Sequence, residues 1–297
     1  MKPTQMERRF LAKWQLELLP TEEDINDYLE RGWWISGSVL GAEDIEDALF
    51  GVKRLLSGEQ DFNLPVALST CTSASSKVGV KQIDYSSLQL LEFERLVRQP
   101  IVGAIAARLT GSSTIRLFHD QLVQKMPRTS GMSSIVGWHT DRAYWQTCTS
   151  TNMLTAWIPL SPATKETGTL MVLDRSHTWM GNEELHSFHD QNLQRSAEQI
   201  HGLPKSYVPI IYDVVPGQIC FHHCLVVHGS GNNESQTDRF AFSVHLQDET
   251  NRFRRHVRGG ERKAVHLNDL LCQTSDNGDP DYADPAICPE LWPPCTS

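Results

Sequence analysis

Between residues 113 and 250 the chain breaks into short runs that alternate apolar and polar residues: "TIRLFHDQLVQKMP", "NMLTAWIPL", "GTLMVLDRSH", "YVPIIYDVVPGQICFHH" and "DRFAFSVHLQD". Gly, Pro, Asn and Ser separate them, which is the signature of strands joined by turns. Short strands in that number are typical of all-β folds. A sandwich, jelly roll or barrel is therefore favoured over a parallel α/β sheet.

The first third reads differently. "TEEDINDYLERGWW" has Thr21 placed as an N-cap, acidic residues in the first turn and Gly32 as a stop, so a helix is expected there. In "GAEDIEDALFGVKRLLSG", Ile45, Leu49, Val52 and Leu55 keep helical spacing up to Gly58. "YSSLQLLEFERLVRQPIVGAIAARLTG" reads as two helices broken near Pro100. The expected architecture is mainly β with flanking helices, a helical layer on a two-sheet core. All 297 residues are expected to form a single domain: 1–112 mostly helical, 113–250 the β core and 251–297 a C-terminal extension. Residues 181–206 are polar and read as an insertion between strands, and the Pro- and Asp-rich segment from 271 onward as chain draped over the surface.

With 27 Lys and Arg against 36 Asp and Glu, the net charge is −9, which argues against a nucleic-acid partner because phosphate binding needs a basic face. The local exception, "RFRRHVRGGERK" at 252–263, reads as a solvated basic loop, with contact to an anionic part of a substrate as the alternative. Seven cysteines without a CxxC pair suit neither a disulfide scaffold nor a structural zinc site and fit a reducing cytosol. No run approaches the ~20 apolar residues of a membrane span, and the N-terminus lacks the apolar stretch of a signal peptide. The expectation is a cytoplasmic protein with no membrane or nucleic-acid partner; oligomeric state is not legible.

The stretch "GWHTDRAYW", 137–145, carries the chemistry. In extended chain, residues two apart point to the same side. His139 and Asp141 therefore converge, with Thr140 facing away. Two imidazoles and one carboxylate form the facial triad typical of non-haem iron(II), and the absence of thiolate favours that metal over structural zinc. Taken alone, H-x-D equally describes a hydrogen-bonded pair at a strand end. The second imidazole is sought in "VPGQICFHHCLVVHGSGNNESQTDRFAFSVHLQ", 215–247, where one strand carries Ile219 and Phe221 and a second ends at His228, with Gly229, Ser230 and Gly231 turning the chain. Arg239 opens the next strand with Ser243 on its face at period two, and a buried guanidinium is what a dicarboxylate needs. His222 and His223 are adjacent, so only one faces inward; these two, His245 and His119 read as core or surface histidines.

The sequence resembles the phytanoyl-CoA dioxygenase family of iron(II)- and 2-oxoglutarate-dependent oxygenases, from "TEEDINDYLERGWWISGSVL" to about residue 247. The resemblance rests on "WHTD" at 138–141, "TAWIPLSPATKETGTLMVLDRSH" at 155–177 and "HGSGNNESQTDRFAFSV" at 228–244, and on the spacings from His228 to Arg239 and from Asp141 to Trp157. It implies a double-stranded β-helix, the cupin-like jelly roll. It further implies that His139, Asp141 and His228 bind iron(II), and that Arg239 with Ser243 holds the distal carboxylate of 2-oxoglutarate. Gln121, Trp157 and Thr140 would also contact that co-substrate. A carboxylate at 141, where related halogenases carry a small residue, favours hydroxylation. The reaction implied consumes dioxygen and 2-oxoglutarate and releases succinate and carbon dioxide while a small metabolite, from a biosynthetic pathway, is oxidised. Alternatives are an acyl-CoA hydroxylase, a non-catalytic metal- or ligand-binding jelly roll, and a zinc hydrolase. Tyr144 and Trp145 are expected at the substrate, in a pocket shaped by 60–90, 142–152, 181–206 and the chain beyond 250.

Overall fold

Thr21 starts the first long helix as its sequence dictates. Its hydroxyl accepts from the Asp24 N–H at 3.2 Å while its own N–H donates to the Asp24 carboxylate at 2.8 Å, closing a capping box ahead of Glu22–Arg31. Gly32 ends the helix at φ +81°, in the left-handed region where a side chain is disfavoured. The second helix, Ala42–Leu56, buries Ile45, Val52 and Leu55 and leaves Leu49 half-buried. The third and fourth, Leu91–Val97 and Pro100–Thr110, are separated at Pro100, whose missing N–H costs nothing in the first turn of a helix. These elements belong to a computed structural model that describes residues 1–63, 79–128, 132–258, 262–263 and 265–294.

The strands in chain order are β1 (Trp33–Ile35), β2 (Val80–Asp84), β3 (Ile115–Lys125), β4 (Val136–His139), β5 (Leu154–Pro159), β6 (Leu170–Val172), β7 (Ile210–Ile211), β8 (Cys220–His223), β9 (His228–Ser230), β10 (Arg239–Asp248), β11 (Val257–Arg258), β12 (Arg262–Lys263) and β13 (Glu290–Trp292). Among the described residues the large sheet runs β1-β8-β5-β10-β3-β13, with β2 also on β3, and the small sheet runs β4-β9-β6-β7. From β3 to β10 the chain passes back and forth between the two sheets, every pairing antiparallel. This is the double-stranded β-helix.

Period two sorts the central strands. On β10, Phe242, Val244 and Leu246 join Leu154, Ala156 and Ile158 of β5 in the core under the helices, where Phe242 stacks on Phe93 at 5.0 Å between centroids. The alternate residues, Arg239, Ser243 and His245 with Thr155 and Trp157, face a cavity of 340 Å³ lined by both sheets. A strand buried on both faces, apolar towards the helices and polar towards the cavity, places a binding site inside the fold.

Two expectations need correction. The segment after 271 does not drape over the surface: Tyr282, Ile287, Cys288, Leu291 and Trp292 are buried, and β13 pairs with the start of β3 while β2 takes its far half. Its Pro and Asp residues mask an apolar minority that carries the packing. Residues 181–206 are the expected insertion between strands, β6 and β7, with a short helix at Leu193–Ala197, and Leu185, Ala197 and Ile200 pack it with Trp138 and Val227 behind β4 and β9. His228 opens β9 rather than ending a strand, and Gly229 and Ser230 pair with Met171 and Leu170 of β6. Gly229 is needed for close approach, because a Cβ there would lie 2.9 Å from the Val136 carbonyl oxygen. In the basic run, β11 and β12 pair with each other, Arg254 donates to the Gln146 carbonyl and Arg255 lies 3.3 Å from Asp279; residues 259–261 and 264 lie outside the described residues. Among the described residues no helix is long and apolar enough to cross a membrane.

A Cβ on Gly137 would lie 2.1 Å from the Ser187 carbonyl oxygen, whereas one on Gly231 would meet nothing within 4 Å. Gly137→Ala should therefore destabilise by about 1–3 kcal/mol through overpacking, and Gly231→Ala by less than about 0.5 kcal/mol, as read from denaturant melts. Equal effects would contradict the close packing of 181–206 on β4.

Candidate active site

The register of the small sheet brings two imidazoles together. His139, the last residue of β4, pairs with His228, the first of β9, and their ring centroids are 4.1 Å apart. Thr140 stays extended (φ −116°, ψ 144°), so Asp141 returns to the same side before the turn Asp141–Ala143 begins. Arg142 staples that turn by donating to the carbonyls of Trp145, Cys148 and Ser150 at 2.8–3.1 Å. One ligand atom from each of His139, Asp141 and His228 lies within 4.8 Å of the other two, and all three residues are buried.

Hydrogen bonds fix which atoms are available. Nδ1 of His139 donates to the Gly137 carbonyl and Nδ1 of His228 to the Val226 carbonyl, each at 2.9 Å, which leaves both Nε2 lone pairs free. Burial pushes the His139 pKa down to about 4 and that of His228 well below its ordinary value, so both rings are neutral ligands at neutral pH. Burial opposes the charge of Asp141, but His228 and His222 beside it hold its carboxyl well below the usual range. Its Oδ2 accepts from the Thr155 hydroxyl at 2.6 Å and from Nε2 of His222 at 3.1 Å, leaving Oδ1 towards His228. Two neutral nitrogens and an oriented carboxylate suit an octahedral divalent metal, iron(II) among them.

Across the cavity the large sheet supplies a row. In register lie His222 of β8, Thr155 of β5, His245 of β10 and His119 of β3; the neighbouring row is Cys220, Trp157, Ser243, Gln121 and Asp84. Arg239 sits further along β10 opposite Lys125. Its guanidinium is 4% exposed and lies 5.3 Å over the Trp157 ring; Nη2 donates to the Gly168 carbonyl at 3.2 Å, while Nε and Nη1 are buried without a partner. Burial lowers its pKa to about 10, so it stays charged at neutral pH. Unpaired donors on a buried cation are costly unless an anion completes them. A carboxylate fits them, and 2-oxoglutarate carries one at the end opposite its metal-chelating group.

Of the residues singled out in the sequence, Gln121, Tyr144, Trp145, Trp157, Arg239 and Ser243 line this cavity with the three ligand residues. Trp145 is only 2% exposed and packs edge-on against Phe118, while Tyr144 is 36% exposed and stacks on His186. Thr140 does not reach the cavity: its hydroxyl donates to the Asn182 carbonyl at 2.9 Å and its N–H points to Leu185, so its expected co-substrate contact is corrected. The pairing with 181–206 claims both groups. His119, His222, His245 and also His266 line the cavity, although none stood out in the sequence as a site residue. Lys125 was missed too; its Nζ is fully buried and hydrogen-bonds to Gly168, Ser230 and Gly231, and burial with Arg239 nearby pushes its pKa well below the ordinary value. Of the segments expected to shape the pocket, 64–78 lie outside the described residues.

Residues 63–241 match the sequence profile of the family described as Phytanoyl-CoA dioxygenase (PhyH). The chain belongs to this family. It is 23% identical to the peroxisomal phytanoyl-CoA dioxygenase of Bos taurus over 235 residues, 74% of this chain and 66% of that protein. To the Homo sapiens enzyme it is 26% identical over 134 residues, 44% of this chain and 39% of that one. The family member thus spans less than two thirds of the length of these curated relatives. Among solved structures, the non-heme alpha ketoglutarate dependent epimerase SnoN from nogalamycin biosynthesis superposes with a TM-score of 0.65 at 22% identity, covering 91% of this chain and 98% of that one. EctD from S. alaskensis, solved with 2-oxoglutarate and 5-hydroxyectoine, gives 0.61 at 17% identity, covering 83% and 82%.

Two measurements test the site's electrostatics. Burial lowers the pKa of His139 to about 4 and that of His245 to about 3. Unfolded histidines titrate near about 6.5, so below that pH the unfolded chain takes up protons that the native state refuses. Stability of the metal-free protein should be full above about pH 6.5 and fall steadily towards about pH 4; a flat melting temperature across that window would contradict neutral buried rings. Separately, Thr155→Val removes a donor to Asp141 and should weaken manganese(II) binding about 10–100-fold by calorimetry.

Proposed function

We propose that this phytanoyl-CoA dioxygenase family member is an iron(II)- and 2-oxoglutarate-dependent dioxygenase that oxidises a small metabolite. The net change inserts one atom of dioxygen into a substrate C–H bond and the other into succinate, with loss of carbon dioxide from 2-oxoglutarate. The observation that carries this reading is the pair of unpartnered donors on buried Arg239, in the same cavity as a His139–Asp141–His228 triad.

Iron(II), when bound, supplies the oxidising power with dioxygen, which no side chain here possesses. His139 and His228 would hold it through Nε2 and Asp141 through Oδ1. Thr155 and His222 keep the Asp141 carboxylate in one orientation, with Oδ1 the oxygen it would offer to the metal. A carboxylate at that position supports hydroxylation rather than halogenation. Arg239 would take the distal carboxylate of the co-substrate, and the Trp157 face beneath the guanidinium keeps that end dry. Ser243 lies beside Trp157 on the paired strand, where it supports the same end. His139, Asp141, His228 and Arg239 are each buried within this one cavity, where lowered dielectric strengthens their interactions with a bound ligand.

Neighbours from nogalamycin biosynthesis support a natural-product intermediate as the substrate, oxidised by hydroxylation or a related outcome such as epimerisation. The test is succinate release that requires both iron(II) and 2-oxoglutarate. His139→Ala should abolish it, and Arg239→Met should raise the 2-oxoglutarate requirement by about 10–100-fold. Turnover that persists in His139→Ala, or that survives without dioxygen, would remove the proposal.

A further inference from the structure

Thr155 has one hydroxyl proton, and the Asp141 carboxylate 2.6 Å away takes it. Nδ1 of His245, 2.8 Å from the same oxygen, must therefore be the donor to it. In a neutral ring this leaves Nε2 of His245 as a lone pair, and burial keeps the ring neutral by pushing its pKa to about 3. Gln121 is fixed in the same way. Its Nε2 lies 2.6 Å from Oδ1 of Asp84, a carboxylate held ionised down to about pH 2 against its burial by His119 and by Gln121 itself, so the amide NH2 must be on that side. Its Oε1 accepts from Gln82 at 3.2 Å and stands 3.4 Å from Nε2 of His245. Two acceptors, each oriented by a carboxylate behind it, thus confront each other in the cavity wall with no proton between them. Such a pair repels unless a donor enters.

We propose that this acceptor pair, His245 Nε2 and Gln121 Oε1, is the substrate-recognition subsite, and that it selects a substrate presenting an O–H or N–H donor, a hydroxyl or a protonated amine, with no anionic group at that end. The surroundings agree. Trp145 lies 4.9 Å from the His245 ring, and Tyr144 and Phe188 line the same cavity, offering aromatic faces to the body of such a molecule. Among the described lining residues the only Lys or Arg is Arg239, which the proposed function assigns to the co-substrate, so an anion at the acceptor pair would meet ionised Asp84 and no countercharge. Gln121 therefore moves from the co-substrate contact expected of it to the substrate side. Calling the bound molecule a substrate rests on the proposed function; the donor preference of the subsite does not.

The test uses four matched probes titrated calorimetrically into the full chain loaded with manganese(II) and 2-oxoglutarate: benzyl alcohol, benzylammonium, benzyl methyl ether and benzoate. The two donors isolate hydroxyl from amine, and at least one should bind about 10-fold or more tighter than the ether and benzoate, the discrimination a hydrogen-bonding site exerts against a ligand lacking the donor. Gln121→Met and His245→Phe should each abolish that preference while leaving ether binding within about 2-fold. Failure of both donor probes to bind better than the ether, tighter binding of benzoate, or a preference that survives both substitutions overturns the subsite. Manganese-dependent binding of 2-oxoglutarate, titrated separately, reports on the proposed function alone, so the two can fail independently.

Discussion

His139 and His228 face each other across the β4–β9 register, and the rest of the site is arranged around that pairing. Because the two strands are antiparallel neighbours, the imidazoles arrive side by side without depending on a long loop. Gly137 and Gly229 permit it, since each lies where a Cβ would collide with backbone of the adjoining segment. The Asp141 carboxylate then needs only one extended residue, Thr140, to reach the same point, and the bond from Thr140 to Asn182 holds that residue outward. Backbone geometry, rather than any attraction among the three side chains, assembles the ligand set.

The opposing sheet answers with charge and hydrogen bonding. Asp141 is tied into the large sheet through Thr155 and His222, which occupy one register row, so the two sheets are linked at the carboxylate itself. From Thr155 the contacts continue through His245 and Gln121 to Asp84. At the far end Arg239 and Lys125 share the Gly168 carbonyl, and burial with Arg239 beside it pushes the Lys125 pKa well below its ordinary value. Burial of the Arg239 charge there costs stability, and a dicarboxylate entering beside it would offset part of that cost. The fold keeps its polar face unsatisfied where ligands belong and its apolar face closed beneath the helices.

Much of this was legible in the sequence, and the reasons are local. Thr21 and Gly32 mark a helix by capping chemistry that needs no tertiary information. His139 and Asp141 share a side because extended chain has period two, and Arg239 stands out as a cation opening an apolar strand. What was not legible depends on register. Period two says that one of His222 and His223 faces inward but not which, and the pairing of β8 with β5 decides for His222 by placing it beside Thr155. His119 and His245 look like ordinary strand histidines until β3 and β10 are aligned. His266 lies between the basic run and the Pro- and Asp-rich segment, and β13 within that segment, where scattered apolar residues gave no periodic signal. Thr140 was placed correctly as facing away, yet only the packing of 181–206 shows that its hydroxyl and N–H are already committed.

The central claim is spatial, that one metal ion and one dicarboxylate fit between two sheets at positions fixed by the fold. A crystal structure of the full chain with manganese(II) and 2-oxoglutarate tests it most directly. The account predicts the metal bonded to Nε2 of His139 and His228 and to Oδ1 of Asp141, with the distal carboxylate of 2-oxoglutarate on Nε and Nη1 of Arg239. Metal bound elsewhere, or a co-substrate carboxylate that leaves Arg239 unpaired, would contradict it.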